Sequence, residues 1–218
     1  MTELTSTHYD KKYFAWQVSL GKFGGWANLT KFLGYISETD VVLDFGCGGG
    51  FLLKNLHCKK RIGVEPNSAA AQVAKENGVE VYSCSHDIPD DSVDIIISDN
   101  ALEHTLHPLL ELQRLYDKLK KGGKLAVVVP CESIHYSFIP FDKNHHLYSW
   151  SPMGLGNLIT EAGFSLIESK PYIHKWPPHY ELIARVGGRR VFEAACRLYG
   201  RIERSWFQVR AIAEKSTA

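Results

Sequence analysis

The run Val41-Val42-Leu43-Asp44-Phe45-Gly46-Cys47-Gly48-Gly49-Gly50-Phe51 puts apolar, β-branched residues directly before a cluster of glycines. The apolar run suits a strand covered on both faces, and the glycines let the backbone turn and approach a ligand without Cβ atoms in the way. That is the make-up of a nucleotide-cofactor cradle. A dinucleotide fingerprint wants glycine at the first, third and sixth loop positions, which here are Gly46, Gly48 and Phe51, so an NAD reading is weakened. Glu65, in Arg61-Ile62-Gly63-Val64-Glu65-Pro66, follows about twenty residues beyond the loop, where a carboxylate can accept from both ribose hydroxyls. A bystander glutamate is the alternative, and the helix start Pro66-Asn67-Ser68 favours the ribose role. In His86-Asp87-Ile88-Pro89, an acid beside an apolar residue suits an adenine, one accepting from the exocyclic amine and the other packing on the ring.

Taken in order, the D-x-G-C-G-x-G loop from Asp44 to Gly50, Glu65-Pro66, Asp87-Ile88-Pro89 and Leu102-Glu103-His104 resemble the class I S-adenosylmethionine-dependent methyltransferases, small-molecule branch, over roughly residues 41–164. The resemblance implies S-adenosylmethionine as cofactor and S-adenosylhomocysteine as product. By position, Gly46, Cys47 and Gly48 then pass the methionine half, Glu65 and Pro66 meet the ribose, Asp87 and Ile88 frame the adenine, and Asn100 joins the cofactor contacts. Asp44 is expected to hold the glycine loop, or the cofactor's ammonium group through water. S-adenosylmethionine carries no pyrophosphate, so the third glycine of dinucleotide binders is not needed and Phe51 is tolerable. At Cys47 a small apolar residue is what fits; a nucleophile there would need a lowered pKa. Such proteins often carry an N-terminal lid. Residues 1–39 hold His8, Tyr9, Tyr13, Phe14, Trp16, Phe23 and Trp26, and either fold over the cofactor, with Trp26 closing the site beyond Gly24-Gly25, or form helices packed on the sheet.

Methyl transfer from a sulfonium is an in-line displacement, so the acceptor atom must lie roughly 3 Å from the methyl group. A hydroxyl acceptor also loses a proton, and histidine titrates near neutral pH without perturbation. Of ten histidines, three stand where the resemblance points. His146, in Asp142-Lys143-Asn144-His145-His146, precedes the helix start Ser151-Pro152. The segment resembles a D-x-x-H run of small-molecule methyltransferases, one residue longer when counted from Asp142. His146 is either an acceptor-orienting residue or base, or a loop histidine bonding backbone carbonyls, with His145 as the fallback. His104 follows the fourth strand and either contacts the transferring methyl group's surroundings or satisfies a helix start. His135, His145, His146, His174 and His179 could converge on a metal. No H-x-x-x-H pair or paired-cysteine motif is present, however, and no metal is expected.

The elements that must position these residues alternate as an α/β sheet demands. Expected strands are 41–45, 61–64, 79–82, 92–98, 124–129, 164–168 and 205–213; expected helices are 67–76, 105–121 and one from Ser151-Pro152 to Gly163. The fold class is therefore α/β, a three-layer doubly wound sheet of seven strands, mostly parallel, with the last strand antiparallel by resemblance. The whole chain, 1–218, reads as one domain. Segments 130–150 and 171–204 fall outside the minimal fold and carry Tyr136, Phe138, Phe141, Tyr148, Trp150, Tyr172, Trp176 and Tyr180. They are walls of an acceptor pocket over the strand ends, or ordinary packing. Arg185, Arg189, Arg190, Arg197, Arg201 and Arg204 read as a solvated helix face, with one or two left to receive an anionic acceptor group.

At 218 residues and 44% apolar the chain can build one good core. A net charge of +1 gives no whole-molecule footprint for nucleic acid, and five scattered cysteines point to a reducing compartment. No apolar run reaches the length of a membrane span. A cytoplasmic monomer or homodimer is expected, acting on a small-molecule acceptor, most simply an oxygen of a sugar, nucleotide-sugar or phenolic metabolite. Asp99-Asn100-Ala101-Leu102 stands where amine methylators carry N-P-P-Y, which disfavours adenine and glutamine N-methylation. The alternative from another class is a catalytically silent S-adenosylmethionine-binding regulator or scaffold.

Overall fold

The computed structural model describes residues 21–140, 142 and 144–217; the expectations for His8, Tyr9, Tyr13, Phe14, Trp16 and Phe141 fall outside them. The described chain opens in helix at 21–27 (α1) and passes through two 3-10 turns, Asn28–Lys31 and Leu33–Tyr35, into β1 (Val41–Phe45). Then come α2 (Phe51–Lys54), β2 (Lys60–Val64), α3 (Ser68–Glu76), β3 (Glu80–Tyr82) and β4 (Val93–Asp99). The second half holds α4 (Pro108–Lys118), β5 (Leu119–Glu132), α5 (Pro152–Glu161), β6 (Ser165–Tyr172), α6 (Tyr180–Ile202) and β7 (Trp206–Glu214).

The seven strands form one sheet in the order β3-β2-β1-β4-β5-β7-β6. β1 to β5 are parallel, while β7 runs antiparallel between β5 and β6. Alternate residues of the central strands feed opposite faces. Leu43 and Ile96 pack with Leu112 and Leu115 of α4 and with Leu155 and Ile159 of α5. Val42, Ile95 and Ile97 pack with Leu52, Leu53, Ala74 and Phe32 on the other face. Helices therefore cover both faces, as the continuous apolar strands require. The chain reverses direction across the sheet between β1 and β4, the place where an open α/β sheet leaves a crevice at its strand ends.

Several boundaries differ from the sequence expectation. α4 starts at Pro108, its first-turn proline, and ends at Lys118 because Leu119 turns extended; the lysines beyond belong to β5. β5 is longer than expected and runs through Pro130. Its pairing with β4 stops at Val128, so Pro130 has only β7 beside it and the missing N–H costs no ladder bond on the other side. β6 likewise runs on through Pro171 because it is the sheet edge. The expected insertion 171–204 is largely α6, which breaks its helical geometry at Gly188 (φ 63°, ψ −170°). Ala27 of α1 packs with Phe192 and Cys196 of α6, in a cluster that includes Phe23, Trp26 and Trp176.

Candidate active site

The loop after β1 makes its turn at Gly46 (φ 82°) and Gly48 (φ 52°), conformations L side chains rarely adopt. At Gly46 a Cβ would also lie 2.3 Å from that of Ala101, whereas at Gly48 it would meet nothing within 4 Å. Space is thus left above Gly48. α1 closes down on this loop so tightly that a Cβ at Gly25 would lie 2.4 Å from the Phe51 carbonyl. Between them opens a cavity of about 560 Å³, within the range of about 300–1,000 Å³ usual for small-molecule sites.

Asp44, Gly46, Cys47, Gly48 and Asn100 line the cavity, as do His104 and His146. Glu65 stands just behind. Its two carboxylate oxygens accept from the backbone amides of Gly48 (2.9 Å) and Asn67 (2.8 Å), so it holds the glycine loop to the start of α3. Burial pushes its pKa up, and the two amides offset part of that rise. Each oxygen keeps a further lone pair for a ligand hydroxyl. Asp44 is buried at the penultimate position of β1, and burial, with Asp99 and Glu65 nearby, raises it to about 8. The Cys47 thiol is pushed far above its ordinary value by burial, which removes it as a nucleophile.

Other expected residues stand elsewhere. Ile88 is 2% exposed and packs in the core against the sheet face, so its side chain is not presented to a ligand ring. This corrects the expectation that it packs on adenine. Asp87 is exposed, accepting from Cys84 Sγ at 3.1 Å, and Pro66 is exposed; neither lines the cavity. Trp26 does not close the site: it turns toward α6, where its ring lies 5.3 Å from Phe192 and under the Arg189 guanidinium at 4.2 Å. The side of α1 that faces the cavity is instead made by Gly21, Gly24 and Gly25. His145 is exposed at φ 48° and outside the cavity lining. Of the aromatics from the two outlying segments, Tyr136 and Trp176 line the cavity. Trp150 is in the core with Tyr148 stacked on it, and Phe138 is exposed.

His104 and His146 meet, their ring centroids 5.1 Å apart. The 3-10 turn Leu102–His104 follows β4, and the segment bearing His146 is stitched to it by the Leu147 amide, which donates to the Glu103 carbonyl at 3.0 Å. His146 Nδ1 bonds Glu132 Oε1 at 2.7 Å, and its Nε2 faces the carboxylate of Glu103. Glu103 is fully buried, and burial raises it to about 8. Sequence reading missed Glu103 and Glu132 as site residues, along with Asn28, Asp99 and Gln208 of the lining. Asp99 is held by the buried Lys31 at 2.7 Å, and Asn100 accepts from Gln208 of β7 at 3.2 Å. The cue for Glu103 was present, since it is the middle residue of the Leu102-Glu103-His104 motif.

A methyltransferase-domain family model matches residues 20–169. An uncharacterized methyltransferase of Mycobacterium tuberculosis is 30% identical over 186 residues, 77% of this chain and 87% of that protein. A tabtoxin biosynthesis enzyme of Pseudomonas amygdali pv. tabaci is 28% identical over 144 residues, 61% of this chain, and the match spans only 57% of that enzyme. Among solved structures, an S-adenosylmethionine-dependent methyltransferase from Mesorhizobium loti shares the fold at a TM-score of 0.57 and 15% identity, covering 87% of this chain and 96% of that one. Phosphoethanolamine N-methyltransferase 2 of Haemonchus contortus, in complex with S-adenosyl-L-methionine, does so at 0.62 and 16%, covering 87% and 51%. The chain belongs to the methyltransferase-domain family of class I S-adenosylmethionine-dependent enzymes, and S-adenosylmethionine is its cofactor. Among the described residues, no helix is long and apolar enough to cross a membrane.

Proposed function

We propose that this methyltransferase acts on a small-molecule acceptor through an oxygen atom, presented at the edge of the cavity formed by His104 and His146. The observation that carries the reading is the shared cavity: the glycine loop and Asp44 line one part of it, and the paired histidines another. The residues fit the cofactor. Space is open above Gly48, and the carboxylates of Asp44, Asp99 and Glu65 cluster where a sulfonium and an ammonium would need negative charge. Bound there, the cofactor supplies an electrophilic methyl group. Glu65 positions the loop and offers lone pairs to the ribose hydroxyls, and Asp44 faces the positive methionine half. His146, held by Glu132 through Nδ1, orients the acceptor hydroxyl or takes its proton as the new carbon–oxygen bond forms. α1 shields this chemistry from water over the glycine loop. The similarity to an enzyme named for tabtoxin biosynthesis supports a small metabolite as acceptor.

Calorimetric titration with S-adenosylmethionine, S-adenosylhomocysteine and NAD tests the cradle. Micromolar binding of the first two and none of the third is expected, followed by methyl transfer in a screen of sugar and phenolic hydroxyls. Transfer to amines alone, with no hydroxyl accepted, would refute the oxygen reading. Cofactor binding without transfer to any acceptor class would favour a silent binding protein.

A further inference from the structure

We infer that Glu103, His104 and His146 form a binding site for a first-row divalent metal ion at the acceptor edge of the cavity. Oε1 of Glu103 lies 3.9 Å from Nε2 of His104 and 4.0 Å from Nε2 of His146. One ligating atom from each of the three residues lies within 4.8 Å of the others. Metal–ligand bonds of about 2.0–2.2 Å hold neighbouring donors roughly 3–3.5 Å apart, so small side-chain rotations bring all three onto one ion.

Two features distinguish this group from a chance gathering of polar residues. The first is Glu103: its side chain is fully buried, and neither carboxylate oxygen has a hydrogen-bond partner. A buried carboxylate without a partner is costly, and a bound cation removes that cost. The second is the orientation of His146. Its Nδ1 is engaged by the Glu132 carboxylate at 2.7 Å, which places the proton of the neutral ring on Nδ1 and leaves the Nε2 lone pair facing Glu103. The 4.0 Å gap between this nitrogen and the Glu103 carboxyl group leaves room for a cation between two donor atoms, and a carboxylate behind a histidine is the usual outer support of a metal-bound imidazole. Two imidazole nitrogens and one carboxylate oxygen suit zinc or manganese better than calcium or magnesium. Because His104 and His146 border the cavity, the remaining coordination positions are open to it.

The use of the ion rests on the proposed methyl transfer to oxygen. An acceptor hydroxyl held there would lose its proton to solvent near neutral pH, and His146 would keep only its orienting role, because Nε2 on the ion has no lone pair left for a proton. The resulting oxyanion attacks the sulfonium methyl carbon, the carbon–sulfur bond breaks, and its electron pair leaves with the sulfur as a neutral thioether.

Metal binding itself is measured without cofactor or acceptor. The metal-stripped protein is titrated with Zn²⁺ by calorimetry and with Mn²⁺ by electron paramagnetic resonance, and S-adenosylmethionine binding to the same preparation is measured in parallel. One ion per chain is expected, with micromolar affinity for Zn²⁺. Affinity should fall at least about tenfold in His146→Ala and Glu103→Gln. In Glu132→Gln, a substitution at the partly exposed outer support and so tolerated by the fold, it should fall about 10–100-fold. No binding of either ion up to millimolar concentration overturns the inference, as does binding that survives all three substitutions unchanged. Cofactor binding that persists in that case leaves the methyltransferase reading standing, so the two failures are told apart.

Discussion

Replacing Glu65 by alanine removes the acceptor of two backbone amides at once, those of Gly48 at 2.9 Å and Asn67 at 2.8 Å. A hydrogen bond to a charged group contributes about 1.5–3 kcal/mol, less what the half-buried carboxylate loses in hydration, which the upward pull on its pKa reports. The net loss of folding stability is expected at about 2–4 kcal/mol, measured by urea unfolding of the cofactor-free protein. Cofactor affinity suffers twice. The Gly48 turn loses its anchor and, in the role proposed for Glu65, the ribose loses an acceptor, together a fall of about 30- to 300-fold in calorimetric titration. Glu65→Gln separates the two contacts, because its one carbonyl oxygen can serve only one amide while its NH₂ opposes the other. It should retain at most half of the stability. Loss of the Glu65 charge also lets the Asp44 pKa fall, since Glu65 is one of the charges raising it. An alanine variant within about 0.5 kcal/mol of the parent in stability, or within about threefold in cofactor affinity, would refute the view that this one carboxylate couples loop and cofactor.

Asp44 makes a pH prediction. Its pKa is raised from 3.8 to about 8, so its contribution to stability is full below the unfolded value and is lost as pH rises through about 8. A positive ligand beside it favours the ionised form, so cofactor binding at neutral pH should release a proton and tighten toward pH 8; titrations in buffers of different ionisation enthalpy that show no release would sink this. His174 behaves in the opposite sense. Burial holds it down from 6.5 to about 3, so it withholds stability, up to several kcal/mol, as pH falls from about 6.5. His174→Phe, in a site already flanked by Phe192 at 5.8 Å, should flatten acid unfolding over that window, and an unchanged pH profile would contradict it. Gly46→Ala is expected to cost at least about 2 kcal/mol from positive-φ strain and the clash with Ala101. Adding Ala101→Gly should relieve the clash but not the backbone term, and full recovery in the double variant would show that the turn carries no strain.

The strand and glycine turn at 41–50 were legible in the sequence because their determinants are local. A β-branched run followed by glycines reports a buried strand entering a tight turn, and Asn67 announces itself as the cap of α3, where its side chain accepts from Ala69 and Ala70. The strand-by-strand alternation was readable for the same reason. Boundaries failed where a neighbour decides them, as at Pro130 and Pro171, whose acceptance depends on which side of the strand lacks a partner.

By itself, then, the chain's order of residues determined an α/β sheet with a glycine turn after its first strand, since backbone conformation and burial periodicity are properties of consecutive residues. Only the tertiary structure decided which distant side chains meet. Trp26 and Ile88 look equally ready to touch a ligand, yet one is taken up by α6 and the other by the core. His146 gains its partners, Glu132 at the end of β5 and Glu103 after β4, because parallel strands deliver their C-terminal ends to one edge. No spacing along the chain encodes that meeting, because the packing of the sheet sets the distance between those ends.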